Sequence, residues 1–185
     1  MVTTLPGTTI EVSTVEVGTS RRMFDGIFAT GGITLSQVSV MTGLEPHVVQ
    51  NWVKRGFVSS PVKRMYSKNQ FARIVIINML RESLHLDRIC TLLGYLNGCL
   101  NDESDDVIGD SELYHMYTDL IAEGGGMILD SESVRDAAEA VAATYTEPVP
   151  GAKRRLVKIL QVMANAHYAS LSRRRAEELL SQLDY

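Results

Sequence analysis

Four polar side chains between residues 46 and 55 recur at spacings that place them on one side of a helix. His47, Gln50, Asn51 and Lys54 are three, four and seven positions apart, so they are neighbours on a wheel of 3.6 residues per turn. Amide side chains can pair with adenine edges in the major groove, and lysine or arginine with guanine. The pattern predicts a helix face that reads double-stranded DNA, and we assign Arg55 to the same face.

The other side of this predicted helix is apolar. It carries Val48, Val49, Trp52 and Val53, and Trp52 is the only tryptophan of the chain. We expect Trp52 to anchor the helix to the helices before and after it. A helix with one apolar and one polar face is also typical of many surface helices, so this pattern alone does not establish DNA binding.

Local signals around this segment indicate a helix-turn-helix. Thr34 and Gln37 form a capping box that opens a first helix, which is expected to stop at Gly43. Pro46 suits the first turn of the second helix and Gly56 its C-terminal cap. About three residues then join the two helices, as in a helix-turn-helix.

A short proline-marked stretch over residues 58–68 follows, with Val58 and Tyr66 as expected strand positions. It predicts a small hairpin, or wing. Its bases are expected to contact phosphates without sequence preference, and its tyrosine to pack or to touch the DNA backbone. The alternative for each base is an exposed, solubilising side chain. The residues concerned are Lys63, Arg64, Tyr66 and Lys68.

A second capping box, Ser67 with Gln70, opens a third helix whose apolar residues are expected in a core. A fourth helix shows the same helical periodicity through Ile89, Leu92, Leu93 and Leu96. Three more helices are predicted at about 112–123, 132–145 and 152–183, and the glycine run 124–126 separates the first two of them.

Charge is distributed unevenly along the 185 residues, whose net charge is −4. Residues 30–100 contain eight bases and three acids, residues 101–148 one base and thirteen acids, and residues 149–185 seven bases and three acids. This distribution favours a division into an N-terminal arm at 1–29, a DNA-binding domain at 30–100 and a helical domain at 101–185. Residues 1 to about 20 are expected to form a loose arm or an edge strand. The last domain is expected to dimerise or to receive an unidentified effector, unless it only completes the core.

Other classes of function find little support. The four histidines have no partner in a recognised catalytic motif, and the glycine run is not a phosphate-binding loop. The acidic stretch from Asp102 to Leu113 fails the calcium-loop pattern. We therefore expect no enzyme, no cofactor and no metal.

The expected cellular location follows from the lack of a predicted membrane-spanning segment or signal peptide in this sequence. No apolar run approaches the roughly 20 residues that span a bilayer, and the N-terminus is not typical of a signal peptide. A cytoplasmic protein with reduced, near-core Cys90 and Cys99 is expected.

The segment 33–96 resembles the MerR family of winged helix-turn-helix regulators. The similar stretches are "ITLSQVSVMTGL", "VVQNWVKRGFV", Pro61, "RMY" at 64–66 and "MLRESLHLDRICTLL". Residues 24–117 are more similar to DUF1836, a group of uncharacterised bacterial proteins, through "NWVKRG", "RIVIINML", "YLNG" and "SDDVIGDSELY". The resemblance implies a mainly α fold, with a MerR-like winged helix-turn-helix followed by a C-terminal helical domain.

Two functions therefore remain open. The first is a homodimeric transcriptional regulator that places helix 46–55 in the major groove and wing 58–68 on the phosphates. The second is a protein-interaction module of the same fold that does not bind DNA and uses its acidic half to engage a basic partner.

Overall fold

The computed structural model describes residues 3–97, 106–124 and 130–183. The described part of the protein is mainly helical, with 63% of the described residues in helices. Cys99, the start of the acidic stretch at 102–105 and the glycines at 125–126 lie outside the described residues. No helix among the described residues is both long and apolar enough to cross a membrane. The elements are β1 Thr3–Thr4, β2 Glu11–Val12, α1 Thr19–Ile27, β3 Ile33–Thr34, α2 Leu35–Thr42, α3 Pro46–Lys54, β4 Met65–Tyr66, α4 Lys68–Leu80, α5 Leu86–Asn97, α6 Asp110–Glu123, α7 Ser131–Val141 and α8 Ala152–Ser181.

Local capping explains where the central helices begin and end. Both predicted capping boxes are present, with the Thr34 side chain accepting from the Gln37 amide and the Ser67 side chain from the Gln70 amide. Gly43 ends α2 with a φ of 69°, a conformation that glycine adopts without strain. Pro46 occupies the first turn of α3. These side chains satisfy backbone groups that the helix ends would otherwise leave unpaired.

The hairpin before α4 pairs differently from the prediction. β4 pairs in antiparallel fashion with β3, so that Ile33 lies opposite Tyr66 and Thr34 opposite Met65. Val58 is buried but lies in no strand. The strand expected at Val58 is therefore wrong, because the partner of β4 comes from the residues that lead into α2.

One hydrophobic core joins the segments before and after residue 100. Nine of the thirteen residues of α4 are buried, and α4 packs against α2, α5, α6 and α8. Buried residues from Phe24 to Tyr168 belong to the same cluster. The division expected at residue 100 therefore does not separate two cores, although the helices predicted on its C-terminal side are present as α6, α7 and α8.

Residues 3–29 are not a loose arm, and the strand expected as the alternative is present as β1 and β2. They contain helix α1, which the sequence reasoning missed, and Phe24 of that helix is fully buried. The β1–β2 hairpin is held to the body where Tyr114 donates a hydrogen bond to the Pro6 carbonyl at 2.8 Å. The Thr9 amide donates to the Met41 carbonyl of α2 at 2.9 Å. The N-terminal segment is thus packed against α2 and α6.

Helix α8 is long and changes character along its length. It spans 30 residues, or about 45 Å at 1.5 Å per residue. Its first two thirds are partly buried against the core, whereas every residue from 172 to 183 is exposed. The exposed end carries Leu179 and Leu180, and exposed Leu183 follows just after the helix.

Candidate nucleic-acid interface

Helix α3 separates its two faces as the sequence predicts. Val49 and Trp52 are buried, with 0% and 2% of their surface exposed. The predicted polar face is exposed throughout, so its amide, imidazole and ammonium groups are available to a ligand. Its residues are His47, Gln50, Asn51 and Lys54.

Trp52 fixes the position of this helix. Its ring belongs to the core cluster, and the guanidinium of Arg81, the residue after α4, lies over it at 5.9 Å from the ring centroid. The Trp52 carbonyl accepts from the Phe57 amide at 2.9 Å, across Gly56, whose φ is 72°. The orientation of the exposed face of α3 is therefore fixed by the buried Trp52 side chain and by the backbone hydrogen bond that caps the C-terminal end of the helix.

Arg55 is exposed but already engaged. Its guanidinium lies 3.6 Å from the Asp87 carboxylate of α5 and over the Phe57 ring at 4.4 Å. An exposed ion pair of this kind contributes only about 0–1 kcal/mol. A DNA phosphate could therefore replace Asp87 as the partner of Arg55 at little cost in free energy. Arg55 nevertheless has intramolecular contacts that the sequence did not indicate.

The tip of the hairpin is a two-residue turn with an unusual backbone. Val62 and Met65 exchange two backbone hydrogen bonds, at 3.2 and 2.9 Å. Lys63 and Arg64 lie between them with φ values of 51° and 64°, which correspond to a type I′ turn. Such turns prefer asparagine and glycine because other side chains are strained at positive φ. Two exposed bases therefore occupy positions where their backbone conformation is unfavourable.

The base of the hairpin is held by Gln70 of α4. Its Nε2 donates to the Ser59 and Ser60 carbonyls at 3.1 and 2.9 Å, while its Oε1 accepts from the Ser67 amide at 2.8 Å. One side chain thus completes the cap of α4 and fixes the segment that leads into the turn. The tip projects from an anchored base.

Tyr66 and Lys68 differ from the expectation. Tyr66 is only 3% exposed, and burial raises the pKa of its hydroxyl. Of the two roles expected for Tyr66, packing is the one observed, and a buried side chain is not accessible to the DNA backbone. The Lys68 ammonium lies 2.6 Å from the Asp25 carboxylate, and this contact lowers the pKa of Asp25. Lys68 is thus partly neutralised by an acid of α1.

Arg73, one of the eight bases of residues 30–100, is buried and holds helices together. It is 8% exposed, and its Nη1 lies 3.0 Å from Asp110 Oδ2 of α6. Its Nε donates to the Phe57 carbonyl at 2.8 Å, just after α3. The basic excess of residues 30–100 is therefore smaller at the surface than in the sequence.

A serine–histidine pair that the sequence reasoning missed lies in the core. Ser20 Oγ is 2.8 Å from His115 Nδ1, but the two residues are 0% and 1% exposed. A substrate has no access to this serine, so the pair is a packing contact. Within the part of the chain that the structure describes, no three histidine, cysteine or acidic residues cluster as a metal site.

Comparison with known families agrees with the resemblance to DUF1836 seen in the sequence. Residues 32–117 match the model of a family described as "Domain of unknown function (DUF1836)". The match supports the DUF1836 family for this segment, which runs from the start of β3 into α6. No curated protein matches the chain, and no solved structure matches it.

Replacing the two bases at the hairpin tip should stabilise the protein. In Lys63→Asn/Arg64→Gly the turn gains the residues that type I′ geometry prefers, so we expect the free energy of unfolding to rise by about 1 kcal/mol. Urea unfolding followed by circular dichroism measures it. The matched control, Lys63→Ala/Arg64→Ala, removes the same charges without relieving the turn and should gain nothing. Equal stability of the two variants would show that the turn is not strained.

Proposed function

We propose that the protein is a sequence-specific DNA-binding transcriptional regulator. In this proposal α2, α3 and the 62–65 hairpin form a MerR-like winged helix-turn-helix, with α3 as its recognition helix and the hairpin as its wing. The observation that carries the proposal is α3 itself, which is anchored by buried Trp52 and exposes only hydrogen-bonding groups at Gln50, Asn51 and Lys54. These are the side-chain types that read base edges in the major groove.

The hairpin tip gives independent support. Strained backbone tends to persist where it serves a function, and here it holds Lys63 and Arg64 outward on a rigid base. Lysine and arginine at such a tip suit phosphate oxygens. In this proposal α3 supplies sequence preference and the tip supplies affinity that depends on salt.

We further propose a homodimer that acts in the cytoplasm. The exposed end of α8 carries Leu179 and Leu180, and exposed Leu183 follows two residues after the helix, so an apolar group is exposed there. A second copy packed against this group would present two α3 helices to a site with two-fold symmetry.

A protein-interaction module is the second candidate. It is favoured by the engagement of three bases near α3 in ion pairs, namely Arg55, Lys68 and Arg73. The net charge of −4 is also low for a protein that binds DNA. In this alternative the exposed face of α3 contacts a protein partner.

Selection of bound duplexes from a random pool, at low and at high salt, tests the proposal. We expect enrichment of a two-fold symmetric sequence by the wild-type protein. The Gln50→Ala/Lys54→Ala/Arg64→Ala variant should lose this enrichment, whereas Arg88→Ala, at an exposed arginine of α5 outside the proposed interface, should retain it.

The Lys63→Asn/Arg64→Gly variant makes this test sharper. It is expected to be at least as stable as the wild type, so weaker DNA binding cannot result from unfolding. The proposed homodimer would lose four phosphate contacts, two in each subunit, which should reduce the slope of log K against log salt by about 3 to 4. An absence of any enriched sequence, with folding confirmed by circular dichroism, would reject the regulator in favour of the interaction module.

A further inference from the structure

A large cavity lies behind the proposed DNA-binding elements. It has a volume of about 1000 Å³ and is lined by the N-terminal segment and by residues of α4, α6 and α8. This volume is at the upper end of the range typical of small-molecule sites. Neither the exposed face of α3 nor the leucines at 179, 180 and 183 line it.

One charged side chain that lines the cavity has no oppositely charged partner among the described residues. Glu82 is paired with two arginines of α8, at 2.9 Å from Arg174 and 3.4 Å from Arg173. Arg81, in contrast, is exposed and forms no ion pair among the described residues, and its guanidinium lies 5.9 Å from the centroid of the Trp52 ring. The other acid of the lining, Glu16, is exposed on the N-terminal segment. The cavity therefore contains a cation without a carboxylate partner.

A neutral hydrogen-bond donor lies on another wall. His167 is 9% exposed, and its Nδ1 contacts the hydroxyl of buried Tyr117. Burial lowers the pKa of His167 to about 4 and raises the pKa of Tyr117 well above its usual value, so both groups are neutral near pH 7. If the Tyr117 hydroxyl donates to Nδ1, the proton of the imidazole is on Nε2. Nε2 has no hydrogen-bond partner in the part of the chain that the structure describes.

We propose that this cavity binds a small organic carboxylate with an apolar body. The carboxylate pairs with the Arg81 guanidinium and accepts from His167 Nε2. The apolar body packs on Met79, Ile121 and Leu171, which line the same cavity. Both groups favour a carboxylate as ligand, because a hydrogen bond in which one partner is charged is stronger than a hydrogen bond between two neutral groups.

The cavity wall is connected to the helices of the proposed interface by direct contacts. Asn78 Nδ2 donates to the Gly7 carbonyl at 2.9 Å and to the Thr42 carbonyl, at the end of α2, at 3.0 Å. Arg81 joins the cavity to Trp52 of α3. A carboxylate that draws Arg81 away from the Trp52 ring changes a contact that holds α3. If the proposed DNA binding holds, the carboxylate is therefore an effector of the regulator.

Binding of three simple carboxylates tests the site without DNA. Benzoate, 3-phenylpropionate and octanoate are titrated into the full-length protein by calorimetry, each alongside its neutral primary amide. We expect at least one carboxylate to bind about tenfold more tightly than its amide, the ratio that one charge-assisted contact gives. Arg81→Met should remove this preference, whereas Arg88→Met, on exposed α5, should not.

Trp52 provides a second readout, because it is the only tryptophan in the chain. Its fluorescence should change on carboxylate binding in the wild type and remain constant in Arg81→Met. Absence of binding by all three carboxylates, equal binding of acid and amide, or an unchanged preference in Arg81→Met would each overturn the site.

Failure of the site and failure of the proposed function are distinguishable. The calorimetric result does not depend on DNA. Given a selected duplex, a saturating carboxylate should change the DNA affinity by about fivefold or more, the lower end of usual coupling between two sites. Unchanged DNA affinity, with the carboxylate bound, would overturn its role as effector and leave the binding site in place.

Discussion

The Arg73→Met variant is expected to lose about 3–5 kcal/mol of its free energy of unfolding, the usual cost of breaking one side of a buried ion pair. Arg73 and Asp110 are 8% and 9% exposed, and their side chains meet at 3.0 Å. Methionine fills much of the same volume but leaves the Asp110 carboxylate buried beside an apolar group. It also leaves the Phe57 carbonyl without the donor at 2.8 Å that Arg73 supplies. Chemical unfolding at neutral pH measures the loss.

Two further variants separate the cost of removing the Arg73 guanidinium from the net contribution of the ion pair. Arg73→Met/Asp110→Leu removes both charges and should recover most of the loss, because a buried pair replaced by apolar groups is often nearly neutral. Arg21→Met is the matched control, since Arg21 pairs with Glu112 of the same helix at 41% and 43% side-chain exposure. It should cost about 1 kcal/mol or less. Equal losses in Arg73→Met and Arg21→Met would contradict the assignment of Arg73 as a buried structural residue.

What the sequence predicted correctly is mostly local. Capping boxes depend on residues three positions apart, so Thr34 and Ser67 could be identified directly. The two faces of α3 follow from the helical period, which separates Trp52 from Gln50. For the same reason the positions of α6, α7 and α8 could be predicted to within a few residues.

What the sequence did not show depends on contacts between distant segments. Arg73 and Asp110 are 37 positions apart, and nothing local distinguishes this arginine from an exposed one. Tyr66 faces the core because β4 pairs with β3, a register that no short-range pattern specifies. Helix α1 was missed because it has nine residues and a single large apolar anchor, Phe24, whose partners come from α4 and α6.

Stability should decrease as the pH falls from about 6.5 to about 4, because two buried histidines resist protonation. Burial lowers the pKa of both His115 and His167 to about 4. In the unfolded chain these groups take up protons near pH 6.5, so below that pH the unfolded state binds more protons than the native state. Each histidine then lowers the free energy of unfolding by about 3 kcal/mol between pH 7 and pH 4. Below pH 4 the native state is also protonated, and the loss from the histidines levels off.

Acidic side chains titrate over the same range, so the histidine contribution has to be isolated by substitution. Arg21 and Glu112 lie near His115, and Arg174 and Glu82 lie near His167. His115→Asn/His167→Asn keeps these charges and removes the imidazoles, whereas His47→Asn removes an exposed histidine of α3. Urea unfolding at pH 7 and pH 4 should show a smaller loss in the double variant and a wild-type loss in His47→Asn. If all three proteins lost the same free energy, acid sensitivity would come from the carboxylates, and the two histidines would be protonated in the folded protein without cost.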